Sequence, residues 1–337
     1  MRQTLTSPRG MVTAPHHLAT SAAASVLREG GNAIEAMVAA ASTIAVVYPH
    51  MNSIGGDGFW IISESGQEPV AIDACGRAAG LASIDWYREQ GVTGTVIPGR
   101  GPLAANNVAG AISGWQEALL HSARMGGTLP VSRLLQDAIY YAKNGAPVTQ
   151  SQVNFTTKFL PELGHQPGFA TQFLNETAIP KVNTLRTYSA LGNTLQALSD
   201  KGLDDFYRGE IAASNAAQLE ALGSPLRLAD FHAHRAQSVK PLSVKVAGAT
   251  LYNMTPPTQG LASLMILAIF DRLRIRHNIK QAEGFEYLHA IVEATKQAFK
   301  VRNRHVADPA TMSERGVSPE QFLTDAFIDQ CVNAVDM

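Results

Sequence analysis

Apolar residues recur at three-to-four spacing through Leu18, Ala22, Ala23, Val26 and Leu27, which predicts an amphipathic helix over 18–28. Gly30-Gly31 follow, as suits a helix C-terminus, and Asn32 is placed to cap the next helix. That next run, 36–47, is small and apolar and predicts a closely packed helix. It leads into PHMNSIGGDGFW at 49–60, where Gly55, Gly56 and Gly58 crowd one turn ahead of an apolar strand pattern. Two readings of the turn stand: a tight helix-to-strand connection, or a nest of backbone N–H groups able to hold an anion.

Runs rich in Ile, Val and aromatics at 59–63 and 70–75 predict a β-hairpin around Ser65-Gly66, and 10–14 reads as a short strand. A helix pattern at 134–141 is ended by Asn144-Gly145 and Pro147. The stretch 148–183 is polar and irregular and reads as a surface helical insertion with loops. Another helix opens at 206–212 and ends near Leu222-Gly223. Strands flank Gly248 within 243–253. Pro256-Pro257 and Gly260 mark a turn before 260–271, a nearly unbroken apolar run that predicts a core helix. A second long helix covers 284–304, with Phe285, Leu288, Ile291, Val292 and Phe299 on its apolar side and Lys296, Arg302 and Arg304 in solvent.

Composition changes this picture little but excludes some functions. With 337 residues, 45% hydrophobic and 16% charged, the chain buries a sizeable core. A net charge of −1 argues against nucleic-acid or anionic-membrane binding driven by bulk charge. The most apolar run is too short to span a bilayer. The segment MRQTLTSPRGMVTAPHH has no apolar secretory core, which predicts a cytoplasmic location. Cys75 and Cys331 match neither a metal-ligand spacing nor a disulfide framework. His16-His17 reads as a helix start, since adjacent histidines point different ways and make a poor metal pair, and His232 and His234 as a solvated helix end, since no third ligand accompanies them. No metal or organic cofactor is implied.

The order GGNAIEAMVAAASTIAVVYP then SIGGDGF resembles the large subunit of the gamma-glutamyltranspeptidases, a family of N-terminal nucleophile hydrolases. Further segments resemble that family in the same order: VAGAISGW at 108–115, FYRGEIA at 206–212 with Leu228–Phe231, MTPPTQG at 254–260, and EATKQAFKVR at 293–302 before Asp308-Pro309. Two departures stand out. Asp57 replaces one glycine of the family's turn. The family arginine that pairs the donor's α-carboxylate falls on Cys75, while Arg77 stands two residues later. On one strand, positions i and i+2 face the same side, so Arg77 is the candidate substrate-binding residue. A guanidinium fork suits a planar carboxylate; the competing reading of Arg77 is an ordinary surface ion pair.

The resemblance implies an α/β (α+β) fold, a four-layer αββα sandwich completed by a small-subunit chain. It implies one large-subunit domain over 1–337, with a peripheral helical region at about 130–240. It implies a self-processed γ-glutamyltransferase or hydrolase, acting on γ-glutamyl amides through an acyl-enzyme. The threonine nucleophile is expected on the small subunit from the same precursor, so no catalytic residue is assigned to this chain. The acyl group would pass to water or an amine. The displaced arginine keeps open an acylase for another amide, such as a β-lactam side chain. A catalytically inert ligand-binding or scaffold homologue is the alternative of a different class.

Overall fold

The computed structural model describes residues 4–282 and 284–337. The chain divides into two compact units, one of residues up to Gly58 with Ala74–Gln237, the other of Phe59–Asp73 with Ser238–Met337.

The first unit is built of helices. The first, His17–Arg28, begins where His16 Nδ1 accepts the Leu18 N–H at 3.2 Å, so the histidine pair serves the helix start as expected. Residues 10–14 join no sheet, against the sequence expectation; Val12 and Ala14 are half-buried, but among the described residues no strand pairs with them.

The second helix, Ala33–Val47, is buried along most of its surface. Asn32 caps it as expected: its Oδ1 accepts the N–H groups of Ile34 (3.1 Å) and Glu35 (3.0 Å), and Glu35 Oε2 accepts the Asn32 N–H at 2.9 Å. Such a reciprocal cap is worth about 1 kcal/mol. Here it does more than end a helix. Asn32 Nδ2 also donates to the Ser122 hydroxyl (2.9 Å) and carbonyl (3.2 Å), and the buried Glu35 accepts the Leu129 N–H at 2.8 Å. The cap is thereby tied to the end of the helix Ala111–Arg124 and the chain beyond it.

The helix Val131–Asn144 packs on Ala33–Val47 and on Ser189–Lys201. Val46, Val47, Ala138, Ala142 and Leu195 form the core between them. The region 148–183 carries the helices Gln150–Leu163 and Phe169–Phe173 joined by loops, as its pattern suggested. The expected single helix from 206 to 222 is two, Asp205–Arg208 and Glu210–Ala221. Gly209 breaks it in extended conformation, where a Cβ would lie 1.8 Å from Asp205 Oδ1.

The strands Gly58–Ile62 and Val70–Ala74, most of whose residues fall in the second unit, are neighbours, as the hairpin pattern predicted, and Gln237–Val239 adds to Val70–Ala74. Leu242–Val246 and Ala249–Asn253 pair antiparallel. Their two-residue turn places both Ala247 (φ 49°) and Gly248 (φ 80°) at positive φ, which matches the twist of an antiparallel hairpin. The helix Gly260–Arg276 forms the core with Leu261, Leu264, Met265 and Ile269.

The long helix Phe285–His305 packs on Gly260–Arg276, but with a face other than the one expected. Ala290, Ala294, Ala298 and Val301 are buried, whereas Phe285 is 81% exposed and Leu288 and Val292 are exposed. Small residues let two helix axes approach, and the alanine stripe wins that contact over the larger side chains. Arg302 is half-buried rather than solvated: it stacks on Phe299 (3.6 Å from guanidinium carbon to ring centre) and donates to Gln259 at 2.9 Å.

Candidate functional site

The glycine-rich turn at 55–58 follows directly from the buried helix Ala33–Val47. None of Gly55, Gly56 and Gly58 takes positive φ. The Gly55 N–H is taken by Ser53 Oγ at 2.8 Å, and the Gly56 carbonyl accepts both the Gly110 (2.9 Å) and Ala111 (2.8 Å) N–H groups at the start of Ala111–Arg124. Of the two readings of this turn, the lack of positive φ and the bonds at the Gly56 carbonyl support the connection, which ties the turn to the neighbouring helix start. Just before it, His50 lies with Nε2 2.9 Å from Ser151 Oγ, and burial holds its imidazole below the usual histidine range.

Three segments meet here, 55–58, 74–79 and 106–111, all in the first unit. Their approach depends on absent side chains. A Cβ on Gly76 would lie 1.9 Å from the Val108 carbonyl oxygen, and one on Gly110 would lie 1.9 Å from the Ala74 carbonyl oxygen. Glycine is used at both positions for close backbone approach.

Arg77 lies on the second of these segments. Beyond the strand end at Ala74, the chain makes a single antiparallel bridge, Ala78 with Asn107. The Arg77 carbonyl accepts the Val108 N–H at 3.0 Å, and Ala79 N–H donates to the Asn106 carbonyl at 2.8 Å. Asn107 Nδ2 donates to the Gly76 carbonyl at 3.0 Å. The Arg77 and Cys75 side chains are both half-buried. Asp57 reaches across from the turn: its Oδ1 accepts the Gly76 N–H at 2.8 Å. Sequence reasoning saw Asp57 only as a replacement for a glycine.

A cavity of about 650 Å3 opens beside this junction, lined by 55–57 and 104–109 and floored by Phe206, Leu219, Leu226 and Phe231. The walls are mostly apolar with a few convergent polar groups, the usual make-up of a small-molecule pocket. Arg77 is not among its lining residues.

Behind 106–111 lies a buried polar cluster. Tyr207 donates to the Ala109 carbonyl (2.7 Å) and accepts the Ser113 N–H (2.9 Å). Burial pushes its phenol up to about 12, partly offset by the bond from Ser113. His234 Nε2 sits 3.0 Å from Ser113 Oγ. The Ser113 hydroxyl gives its hydrogen to the Gly110 carbonyl at 2.9 Å, so the imidazole donates to it. The pair therefore fixes the helix start and is not arranged as nucleophile and base. His234 is 2% exposed, which corrects its reading as part of a solvated helix end; His232 remains exposed. Phe231 and His234, three apart around the end of the helix Leu228–Ala233, turn inward together, and that spacing was the available signal. Among the described residues, no group of three or more His, Cys, Asp or Glu side chains could hold a metal ion.

The family model for gamma-glutamyltranspeptidase matches residues 19–337. This chain belongs to that family. It is 48% identical, over all 337 residues, to an oxamate amidohydrolase proenzyme of Klebsiella pneumoniae, and spans 62% of that relative's length. A glutathione hydrolase-like proenzyme of Bacillus subtilis is 32% identical over 92% of the chain, which spans 57% of it. Among solved structures, a gamma-glutamyltranspeptidase from Pseudomonas nitroreducens complexed with L-DON superposes with a TM-score of 0.87 at 29% identity. That match covers 98% of this chain and 96% of the other. The fold is therefore the α+β fold of the N-terminal nucleophile hydrolases, as the motifs implied. The chain spans about three-fifths of the curated relatives it matches.

Proposed function

We propose that this chain is the large subunit of a self-processed amidohydrolase whose donor is a short amide bearing a carboxylate, oxamate being the type. The nucleophile lies on a second chain from the same precursor, attacks the amide carbonyl, and passes the acyl group to water. Arg77 pairs the donor's carboxylate. The observation that carries the reading is the displacement of the arginine: Cys75 occupies the family's clamp position, and Arg77 stands on the segment bonded to 106–108. Two positions along the chain cover at most about 7 Å. A displacement of that size suits a donor of another length: a γ-glutamyl group holds its α-carboxylate three carbons from the amide carbonyl, and oxamate holds it directly on that carbon. The 48% identity to a protein named for oxamate hydrolysis supports the same choice.

A second reading keeps γ-glutamyl amides as donors, with transfer to water or an amine. The near-complete structural match to a gamma-glutamyltranspeptidase favours it. The two are separated by assaying the processed two-chain protein for ammonia release from oxamate and for anilide cleavage from a γ-glutamyl anilide. The proposal expects the first to dominate. Anilide cleavage with oxamate inert would overturn it in favour of the second reading. A guanidinium–carboxylate pair is worth roughly 1.5–3 kcal/mol. Arg77→Ala should then raise KM for oxamate by about ten- to a hundredfold, with little effect on its neutral counterpart oxamide. Arg77→Lys should recover part, since an ammonium cannot form the planar fork. Equal effects on charged and neutral amides would remove Arg77 from the site.

A further inference from the structure

We infer that Asp57 is a positioning residue for Arg77. It anchors the backbone immediately before Arg77 and thereby sets the reach of the guanidinium toward the substrate carboxylate. The inference rests on the carboxylate-clamp reading given above for Arg77.

The segment between the strand end at Ala74 and the bridge at Ala78 lies outside regular structure. Gly76 is bonded from both sides: Asn107 donates to its carbonyl at 3.0 Å, and Asp57 accepts its N–H at 2.8 Å. Another bond, from Val108 N–H to the Arg77 carbonyl at 3.0 Å, lies on the side of 106–108. The Asp57 bond is the one that comes from the glycine turn. It ties Gly76 to 55–58, while the close approach of Gly76 to the Val108 carbonyl blocks displacement toward 108.

Gly76 is thus held between two walls, and Arg77 leaves from its next peptide. A charge-assisted acceptor on a backbone N–H is among the stronger hydrogen bonds available to a side chain. An arginine is long and has many rotamers, so a fixed Cα position confines where its fork can sit. A small misplacement of a binding group carries a large kinetic penalty.

The turn itself is secured by main-chain bonds from Gly110 and Ala111 to the Gly56 carbonyl and by Ser53 on Gly55. None of these uses Asp57. Removing the carboxylate should therefore free Gly76 without unmaking the turn. A glycine at 57 leaves no side-chain acceptor there.

The test uses the processed two-chain protein with Asp57→Asn, Asp57→Ala and Asp57→Gly. Asparagine keeps an oxygen for the Gly76 N–H; alanine and glycine do not, and glycine is the residue that the family's turn carries, so it guards against a misfolded alanine variant. Amide exchange at Gly76 is measured without substrate. It should speed up at least tenfold in the alanine and glycine variants and stay near wild type in the asparagine variant. With oxamate, alanine and glycine should raise KM about tenfold with kcat within about twofold, and asparagine should restore KM. Oxamide turnover should fall less than oxamate turnover, since oxamide offers the guanidinium no carboxylate. A merely structural role would lower kcat or stability for both amides alike.

Unchanged Gly76 exchange in Asp57→Gly would remove the anchor. Faster exchange with unchanged KM would leave the contact but overturn its positioning role. Should wild type not turn over oxamate, the substrate reading fails on its own. The positioning claim is then decided by phenylglyoxal modification of Arg77: a rate changed at least threefold in Asp57→Gly and restored in Asp57→Asn upholds it, and an unchanged rate overturns it.

Discussion

Around Gly76 and Gly110 the chain is held main chain against main chain, whereas Gly260–Arg276 and Phe285–His305 meet through side chains. At the first place carbonyl oxygens occupy the volume that a Cβ would need. At the second, alanines and larger aliphatic groups fill the space between two helices. Side-chain packing adjusts to a lost or altered methylene by small shifts of its neighbours. Backbone packed on backbone has no rotamers to adjust. The difference separates parts of the protein that fix a geometry from parts that supply cohesion, and the segment bearing Arg77 belongs to the former.

One carbon atom added in the first region and one removed from the second test this most sharply. Gly76→Ala forces a Cβ to within 1.9 Å of the Val108 oxygen and should cost about 3 kcal/mol or more, seen as a large drop in denaturation midpoint or loss of soluble protein. A loss under about 1 kcal/mol would show that 106–108 yields easily.

Tyr207→Phe should rank next. It leaves the buried Ser113 N–H and Ala109 carbonyl without the hydroxyl, at a cost of about 2 kcal/mol by urea denaturation. This variant also carries a pH signature. The native phenol holds its proton to about 12, above its unfolded value of about 10. The unfolded state therefore loses that proton first, and stability should fall as pH rises from about 10 to about 12, by up to about 3 kcal/mol. Tyr141 and Tyr188, also pushed up by burial, add to the same fall, so the check is that its steepness lessens in Tyr207→Phe.

The smallest effect is expected in the helix pair. Ile269→Val removes one methylene from a fully buried side chain and should cost about 1 kcal/mol. A cost equal to that of Gly76→Ala would erase the contrast between the regions.

Much of the helical frame could be read along the chain. Asn32 as a cap, His16 as a helix start, the strands on either side of Gly66 and the hairpin at Gly248 all depend on short-range chemistry. What escaped depends on partners distant in sequence. The apolar side of Phe285–His305 was assigned by residue size, but the neighbouring helix selects small residues. His234 is drawn inward by Ser113, 121 residues away, which local polarity does not reveal. At the candidate site, the resemblance marked Cys75 as the family's arginine position and left Arg77, two residues on, as the candidate. The role of Asp57 was not legible, because the bond that defines it spans 19 residues to a backbone N–H.

The cap at Asn32 has a kinetic meaning as well. Its side chain reaches Ser122, 90 residues along the chain, and Glu35 reaches Leu129, 94 residues from it. Bringing such distant points together costs about 4 kcal/mol of chain entropy beyond a length-independent constant. The helices Ala33–Val47 and Ala111–Arg124 can each begin to form early from local signals. Their joint, with the second oxygen of the buried Glu35 satisfied only when the 122–129 segment arrives, belongs to a late step. That places the first unit among topologies whose folding rate is set by long-range closure rather than by helix formation. Asn32→Ala should slow refolding if the joint is formed in the transition state, and should speed unfolding alone if it closes afterwards.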